Sequence, residues 1–141
     1  MEVIKENGYN LFIFEKKQMG RRATIKKNQV SISSSKTYGK ISFSSEIEDD
    51  IAGKKLIIRQ DDLSQEFYFV IGKSNRGEVV KLYKNTGSQR TIYVVNNAEM
   101  CRFFSNKFND GKLQSFRLEI SHNISKNNDV VCYKILGKIQ E

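Results

Sequence analysis

Short runs in which apolar and polar residues alternate recur along most of the chain. From Arg22 to Lys26, Ala23 and Ile25 fall on one face and the polar residues on the other, which is the period of a β-strand. Similar runs, bounded by Gly, Asn, Asp or Ser, predict further strands near residues 9–14, 30–32, 40–44, 56–60, 66–71, 79–84, 90–95, 115–121 and 130–136. The pattern predicts a β-dominated α+β fold built on antiparallel sheets.

One segment has the period of a helix instead. Between residues 98 and 108, Cys101, Phe104 and Phe108 form one apolar stripe. Asn96 is a suitable N-cap, and Glu99 stands three residues later, as a capping box requires. We expect a helix whose apolar stripe packs on the core.

The order of these patterns suggests two related halves. Four residues around the earlier strand recur at one offset around the later one: Ile41, Phe43, Ser45 and Glu48 match Ile92, Val94, Asn96 and Glu99. Near the end of each half, the run from Tyr68 to Lys73 resembles the run from Tyr133 to Lys138. Chance matching of β patterns is the alternative. We expect a basic N-terminal strand or arm (1–29) and two strand–strand–helix–strand–strand repeats (30–78 and 79–141), packed as a pseudodimer in one compact unit.

Charge is distributed unevenly along the chain. The net charge is +8, and eight basic residues but no Asp or Glu lie between residues 16 and 40. Seven acidic residues against three basic ones lie between residues 46 and 66. This asymmetry predicts a positive surface that suits a phosphate-rich partner.

Residues for catalysis or metal binding are scarce. His122 is the single histidine, the glycines show no phosphate-binding motif, and Cys101 and Cys132 form neither a disulfide framework nor a zinc motif. The acidic group around Glu46–Asp50 and Asp61–Asp62 is the one candidate metal site, but we favour the simpler explanation that these residues form the first turn of a helix and a hairpin turn. We therefore expect a non-catalytic cytoplasmic protein with reduced thiols, no cofactor, no bound metal and no membrane contact.

Basic and aromatic residues supply the candidate site. Lysine and arginine neutralise phosphates, and tyrosine rings stack on unpaired bases. The predicted nucleic-acid-binding residues are Lys16, Lys17, Arg21, Arg22, Lys26, Lys27, Lys36, Tyr38, Lys40, Lys81, Tyr83, Lys84, Arg90 and Tyr93. Single-stranded DNA is the favoured partner.

The duplicated order of strands and helix is similar to that of the PC4 and Whirly type of single-stranded DNA-binding proteins. The runs from Gly39 to Glu46 and from Arg90 to Asn96 look like the last strand of that fold leading into its helix. The resemblance implies binding along the sheet face by residues such as Lys40, Tyr83, Arg90 and Tyr93.

A second resemblance covers about a third of the chain. The run from Gly39 to Ile47, followed by Gly53 to Leu56, looks like the strand, short helix and turn of AbrB-type swapped-hairpin regulators. It implies duplex DNA binding by a dimer, and the sequence leaves homo-oligomer formation open. Two further alternatives are a protein-interaction or structural accessory module, such as a phage or mobile element carries, and a metal-dependent nuclease using Asp61 and Asp62.

Overall fold

The computed structural model describes residues 1–14, 29–35, 37–44, 50–85, 90–127 and 129–140. For Ser44, Lys84, Asn85, Arg90 and Thr91 it describes the backbone alone. The elements of this part of the chain are β1 (Glu2–Glu6), β2 (Tyr9–Ile13), β3 (Gln29–Ser34), β4 (Gly39–Ser44), β5 (Lys55–Asp61), β6 (Phe67–Gly72), β7 (Glu78–Val79), β8 (Lys81–Asn85), β9 (Arg90–Asn96), α1 (Ala98–Phe108), β10 (Phe116–Asn123) and β11 (Val130–Lys138). The predicted β-dominated α+β class is confirmed. The predicted strand at 22–26 and the predicted helix after Ser45 lie outside the described residues.

The strands form one antiparallel sheet that closes on itself. Its order is β1-β2-β5-β6-β11-β10-β3-β4-β9-β8, and β7 pairs with β5. Only Val80 separates β7 from β8, so the run 78–85 joins β5 on one side to β9 on the other. Backbone hydrogen bonds complete this seam: Gly53 N–H donates to Val80 O over 2.7 Å, and Val80 N–H donates to Lys54 O over 2.8 Å.

The inner face of the closed sheet carries the hydrophobic core. Alternate residues of each strand point inward, and the buried ones are β-branched, leucine or aromatic side chains: Val30, Ile32, Ile41, Phe43, Leu56, Ile58, Phe69, Ile71, Val80, Val95, Leu118, Ile120, Val131, Tyr133 and Ile135. The ring of Phe43 lies 5.3 Å from that of Phe69 and 6.4 Å from that of Tyr133. The opposite side chains form the outer face.

Helix α1 packs its aromatic stripe on this core. Phe104 lies 5.3 Å from Phe69, and Phe103 lies 4.8 Å from Phe12, between ring centroids. The N-cap is Asn97, whose side chain accepts from Met100 N at 2.8 Å. The prediction of Asn96 was wrong by one residue, because Asn96 is the last residue of β9 and pairs with Lys40 in the ladder.

Strand pairing follows the same pattern in both halves of the closed sheet. Strands β3, β4, β5 and β6 of the first half correspond in this order to β7–β8, β9, β10 and β11 of the second half. When the two sets are exchanged, every pair of hydrogen-bonded strands in the closed sheet becomes another hydrogen-bonded pair, or the same pair again. The register agrees as well, because three pairs of opposite residues in one half have equivalent pairs in the other. The pair Ile32–Ile41 is equivalent to Leu82–Tyr93, the pair Ser31–Ser42 to Lys81–Val94, and the pair Gln29–Glu119 to Val79–Lys55.

In β4 and β9 these ladders shift the sequence alignment of the halves by one residue. The sequence paired Ile41 with Ile92, but Ile41 points into the core whereas Ile92 alternates with the inward-facing Tyr93 and Val95. The ladders equate Ile41 with Tyr93 instead. The slip is easy to make in sequence because residues 92–95 are all apolar or aromatic, so that β9 shows no clear alternation, yet a slip of one residue moves every side chain to the other face.

Candidate anion-binding cleft

Most of the predicted binding residues cannot be located. Seven lie outside the described residues: Lys16, Lys17, Arg21, Arg22, Lys26, Lys27 and Lys36. The side chains of Lys84 and Arg90 are likewise not described. For these nine the binding role stays a prediction.

Two of the remaining residues lie on or next to β4. Lys40 is only 2% exposed, so its ammonium is not at the surface to meet a phosphate. Tyr38 is half-buried in the turn before β4, where its backbone N–H donates to the hydroxyl of Ser35. The burial of Lys40 weighs against the direct phosphate contact that the sequence suggested.

The predicted residues of β8 and β9 lie on opposite faces of the sheet. Lys81 and Tyr83 are on the outer face, since they pair with Val94 and Ile92. Tyr93 is on the inner face and packs against the core. Burial raises the pKa of Tyr93, and the nearby Asp50 carboxylate adds to the shift. The structure therefore brings Lys81 and Tyr83 together and separates Tyr93 from them.

A cleft beside Lys81 contains lysines that the sequence reading did not select. Two turns form it, one leading into β5 and one leaving β6. We call it the lysine cleft, and its volume is about 440 Å³. Its lining residues are Gly53, Lys54, Lys55, Gly72, Lys73, Ser74 and Asn75. Gly53 has φ +78, a left-handed backbone that favours glycine. No atom lies within 4 Å of a Cβ built there, so the turn leaves this part of the cleft open.

Lys81 extends the cleft along the outer face. The hydrogen bond from Gly53 N–H to Val80 O sets Lys81 next to Gly53. Lys55, one strand position further on, pairs with Val79. Lys55 and Lys81 are therefore diagonal neighbours on one face, a placement with Cα atoms typically about 7–8 Å apart. Tyr83 follows two residues later on the same face.

The lysine cleft is strongly positive. No carboxylate lines it, and among the described residues none of Lys54, Lys55, Lys73 and Lys81 forms an ion pair. Like charges held close together repel one another unless an anion lies between them. The cleft therefore suits a negatively charged ligand.

The far end of the same strands has the opposite charge. Asp61 ends β5 and pairs with Arg59 at 2.9 Å, and Glu66 precedes β6 and pairs with Lys134 at 3.0 Å. Asp61, Asp62 and Glu66 thus lie away from the lysine cleft, although they are close to its lysines in sequence. Asp50 lies near the cleft, since its Oδ1 accepts from the N–H of Ala52, next to Gly53.

Sequence analysis missed Lys54, Lys55 and Lys73 for an identifiable reason. The two Gly-Lys turns, at residues 53–54 and 72–73, were visible. They lie 18 residues apart or more, and nothing local shows that β5 and β6 form a hairpin that brings both turns together. A lysine after a turn glycine is common, so the signal alone was too weak.

No family model, curated protein or solved structure matches the chain. The resemblances to PC4, Whirly and AbrB proteins therefore stay hypotheses. The described residues contain no helix long and apolar enough to cross a membrane. They also contain no cluster of three or more His, Cys, Asp or Glu side chains that could hold a metal ion.

Proposed function

We propose that the protein binds single-stranded nucleic acid without catalysing a reaction, and that the lysine cleft holds the phosphate backbone. The observation that supports this proposal is the convergence of Lys54, Lys55, Lys73 and Lys81 around an open cleft that no carboxylate lines. Neutralising phosphates releases the counterions condensed on them, which is the main sequence-independent source of affinity.

Tyr83 supports the preference for unpaired bases. It is half-buried on the outer face, two residues beyond Lys81. A tyrosine ring can stack on a base only when that base is free of its own helix, and each such stack contributes roughly 1–3 kcal/mol. A backbone held by the lysines would bring one base within reach of this ring.

We also propose that the two halves arose by duplication of one unit, and so form the expected pseudodimer. The support is the register: the same pairs of opposite residues recur when the halves are exchanged. Both cysteines are free and buried, and we infer from them a reducing, cytoplasmic location.

Equilibrium binding tests the proposal. The Lys54→Gln, Lys55→Gln, Lys73→Gln triple variant is compared with wild type by fluorescence anisotropy, using labelled single-stranded DNA, duplex DNA and RNA of equal length. Three lost phosphate contacts should weaken binding to the single strand by about 10- to 100-fold at moderate salt. The exposed cations Lys5, Arg102 and Lys107, which are not among the lining residues of the lysine cleft, give a matched control triple (Lys5→Gln, Arg102→Gln, Lys107→Gln) that should keep most of the affinity.

Two results would contradict the proposal. If the wild type binds no oligonucleotide but binds an acidic polypeptide through the same lysines, the protein is an interaction module. If duplex DNA binds more tightly than the single strand, and Tyr83→Ala has no effect, the single-strand assignment is wrong.

A further inference from the structure

A second cleft lies on the other side of the closed sheet, where β10 begins and β11 ends. Its volume is about 560 Å³. Its lining residues, here called the Arg117 cleft, are Ser31, Ser33, Asn109, Gln114, Ser115, Phe116, Arg117, Lys138, Ile139 and Gln140. As in the lysine cleft, none of the described lining residues is a carboxylate.

Strand pairing and a helix cap position its two cations. Arg117 lies opposite Ser31 in the β3–β10 ladder, so its side chain shares the outer face with that serine hydroxyl. The Nζ of Lys138 donates to Oδ1 of Asn109 over 2.6 Å. Asn109 is buried and ends α1, and its Nδ2 donates to Lys112 O over 3.1 Å.

This network leaves hydrogen-bonding groups for a ligand. An ammonium has three donors, so Lys138 keeps two after its bond to Asn109. Arg117 makes a contact within the chain, and its guanidinium has five N–H donors in a planar arrangement that matches phosphate. Serine hydroxyls and glutamine amides complete a lining that can donate to phosphate oxygens and also bond the polar edge of a sugar or base.

The two clefts occupy equivalent places in the two halves. In the register that relates the halves, Arg117 corresponds to Gly53 and Lys138 to Lys73. Ser31, opposite Arg117, corresponds to Lys81, which lies next to Gly53. The same backbone turns thus form a cationic cleft twice, with a lysine at one matched position, Lys73 or Lys138, and different residues supplying the other charge; no carboxylate is among the described lining residues of either cleft.

We propose that the Arg117 cleft binds the phosphate ester of a nucleotide, as a second phosphate site besides the lysine cleft. If the phosphate belongs to a nucleic acid strand, which is the polynucleotide form of this inference, the inference rests on the proposed function. Binding of a free phosphate ester does not rest on it. Arg117 and Lys138 hold the phosphate, and Asn109 is a positioning residue that acts through Lys138.

Nuclear magnetic resonance with small ligands tests the site by itself. Inorganic phosphate and thymidine 5′-monophosphate are titrated separately into the ¹⁵N-labelled full chain. Both should shift the backbone amides of residues 115–117 and 138–140, and Lys138→Gln, an exposed substitution, should abolish these shifts. If neither ligand shifts these amides at tens of millimolar, or if shifts occur only at residues 53–55 and 72–75, the second site does not exist.

Salt dependence with a single-stranded oligonucleotide tests the polynucleotide form. Removing two phosphate contacts in Arg117→Gln, Lys138→Gln should reduce the slope of log K against log salt by about 1.4. The control Arg102→Gln, Lys107→Gln should leave it unchanged. An unchanged slope in the cleft variant, with thermal unfolding like wild type, would overturn this form of the inference. If no oligonucleotide binds while monophosphate still shifts the amides, the proposed function fails and the phosphate-ester site stands.

Discussion

Arg59 lies between two tyrosine rings on the outer face of β5. Its guanidinium carbon is 4.9 Å from the ring centroid of Tyr9 and 4.7 Å from that of Tyr68. The Tyr68 hydroxyl donates to Glu66 over 3.2 Å. Burial, together with the carboxylates of Asp61 and Glu66, raises the pKa of Tyr68 to about 12.

This shift links stability to alkaline pH. The folded chain holds the Tyr68 proton more tightly than the unfolded chain, where the phenol titrates near 10. The contribution is therefore complete below pH 10 and is lost as pH rises towards 12. We expect the free energy of unfolding, measured with urea, to fall across this range, and to fall less steeply in Tyr68→Phe than in the control Tyr83→Phe. Equal slopes in both variants would contradict the assignment.

Sequence alone could identify residue types for binding but not their exposure. Lys81 and Tyr83 were selected and do lie on one face, where both are half-buried, because strand alternation fixes which residues point together. Lys40 was selected by the same rule, yet it is buried. The alternation of residues along a strand indicates on which face of the sheet a side chain lies. Only the tertiary structure determines whether other residues cover that face.

Among the elements, α1 was predicted with its observed bounds but with the wrong cap. A cap requires extended backbone in front of the first helical residue, and both Asn96 and Asn97 satisfy the sequence preference. In the structure Asn97 also donates from Nδ2 to the buried Glu78 over 3.1 Å. This contact crosses 19 residues of sequence, so no local pattern could have indicated it.

Substituting the two asparagines separates these alternatives. Asn97→Ala removes the bond to Met100 N and the contact with Glu78, so it should lower the free energy of unfolding by about 1–2 kcal/mol. Asn96→Ala should cost less, because its Oδ1 has no hydrogen-bond partner among the described residues. Urea denaturation measures both. A larger loss for Asn96→Ala would favour the cap that the sequence suggested.

The contact between β4 and α1 depends on Gly39. A Cβ at this position would lie 2.8 Å from Ala98 Cα and 2.8 Å from the Sγ of Cys101. Gly39→Ala should therefore destabilise the fold by about 1–3 kcal/mol. Adding Cys101→Ala should recover only part of this loss, since the Ala98 backbone remains in the way. Full recovery would show that the helix moves freely relative to β4.

At the scale of the whole molecule, the alternating pattern predicted antiparallel sheet but not its closure. The sequence indicated one strand over 79–84, whereas the structure divides it at Val80 into a part that pairs with β5 and a part that pairs with β9. The closure depends on the pairing of β5 with β7 and on two further hydrogen bonds, all between residues distant in sequence. Alternation carries no information about such partners.

Hydrogen exchange tests the closure. The amides of Gly53 and Val80 both donate across the seam, although neither belongs to a regular strand. We expect them to exchange slowly, close to the amides in the centre of β5. Exchange as fast as that of the fully exposed Leu63 would mean that the sheet is open between β5 and β8.

The distribution of charge over the closed sheet underlies the functional account. The lysines at one end of β5 and β6 and the carboxylates at the other end are neighbours in sequence, and the extended strands keep them apart. This separation lets a chain with many acidic residues still present a cleft of positive charge. A uniform mixture of the same residues would attract a polyanion far less.

The most direct test of the lysine cleft is the salt dependence of binding to a labelled oligothymidylate, measured for wild type and for Lys54→Gln, Lys55→Gln, Lys73→Gln. The account predicts that wild-type affinity falls steeply with salt and that the slope of log K against log salt is smaller in the variant by about 2. Wild-type affinity that is independent of salt, or equal slopes in the two proteins, would contradict it.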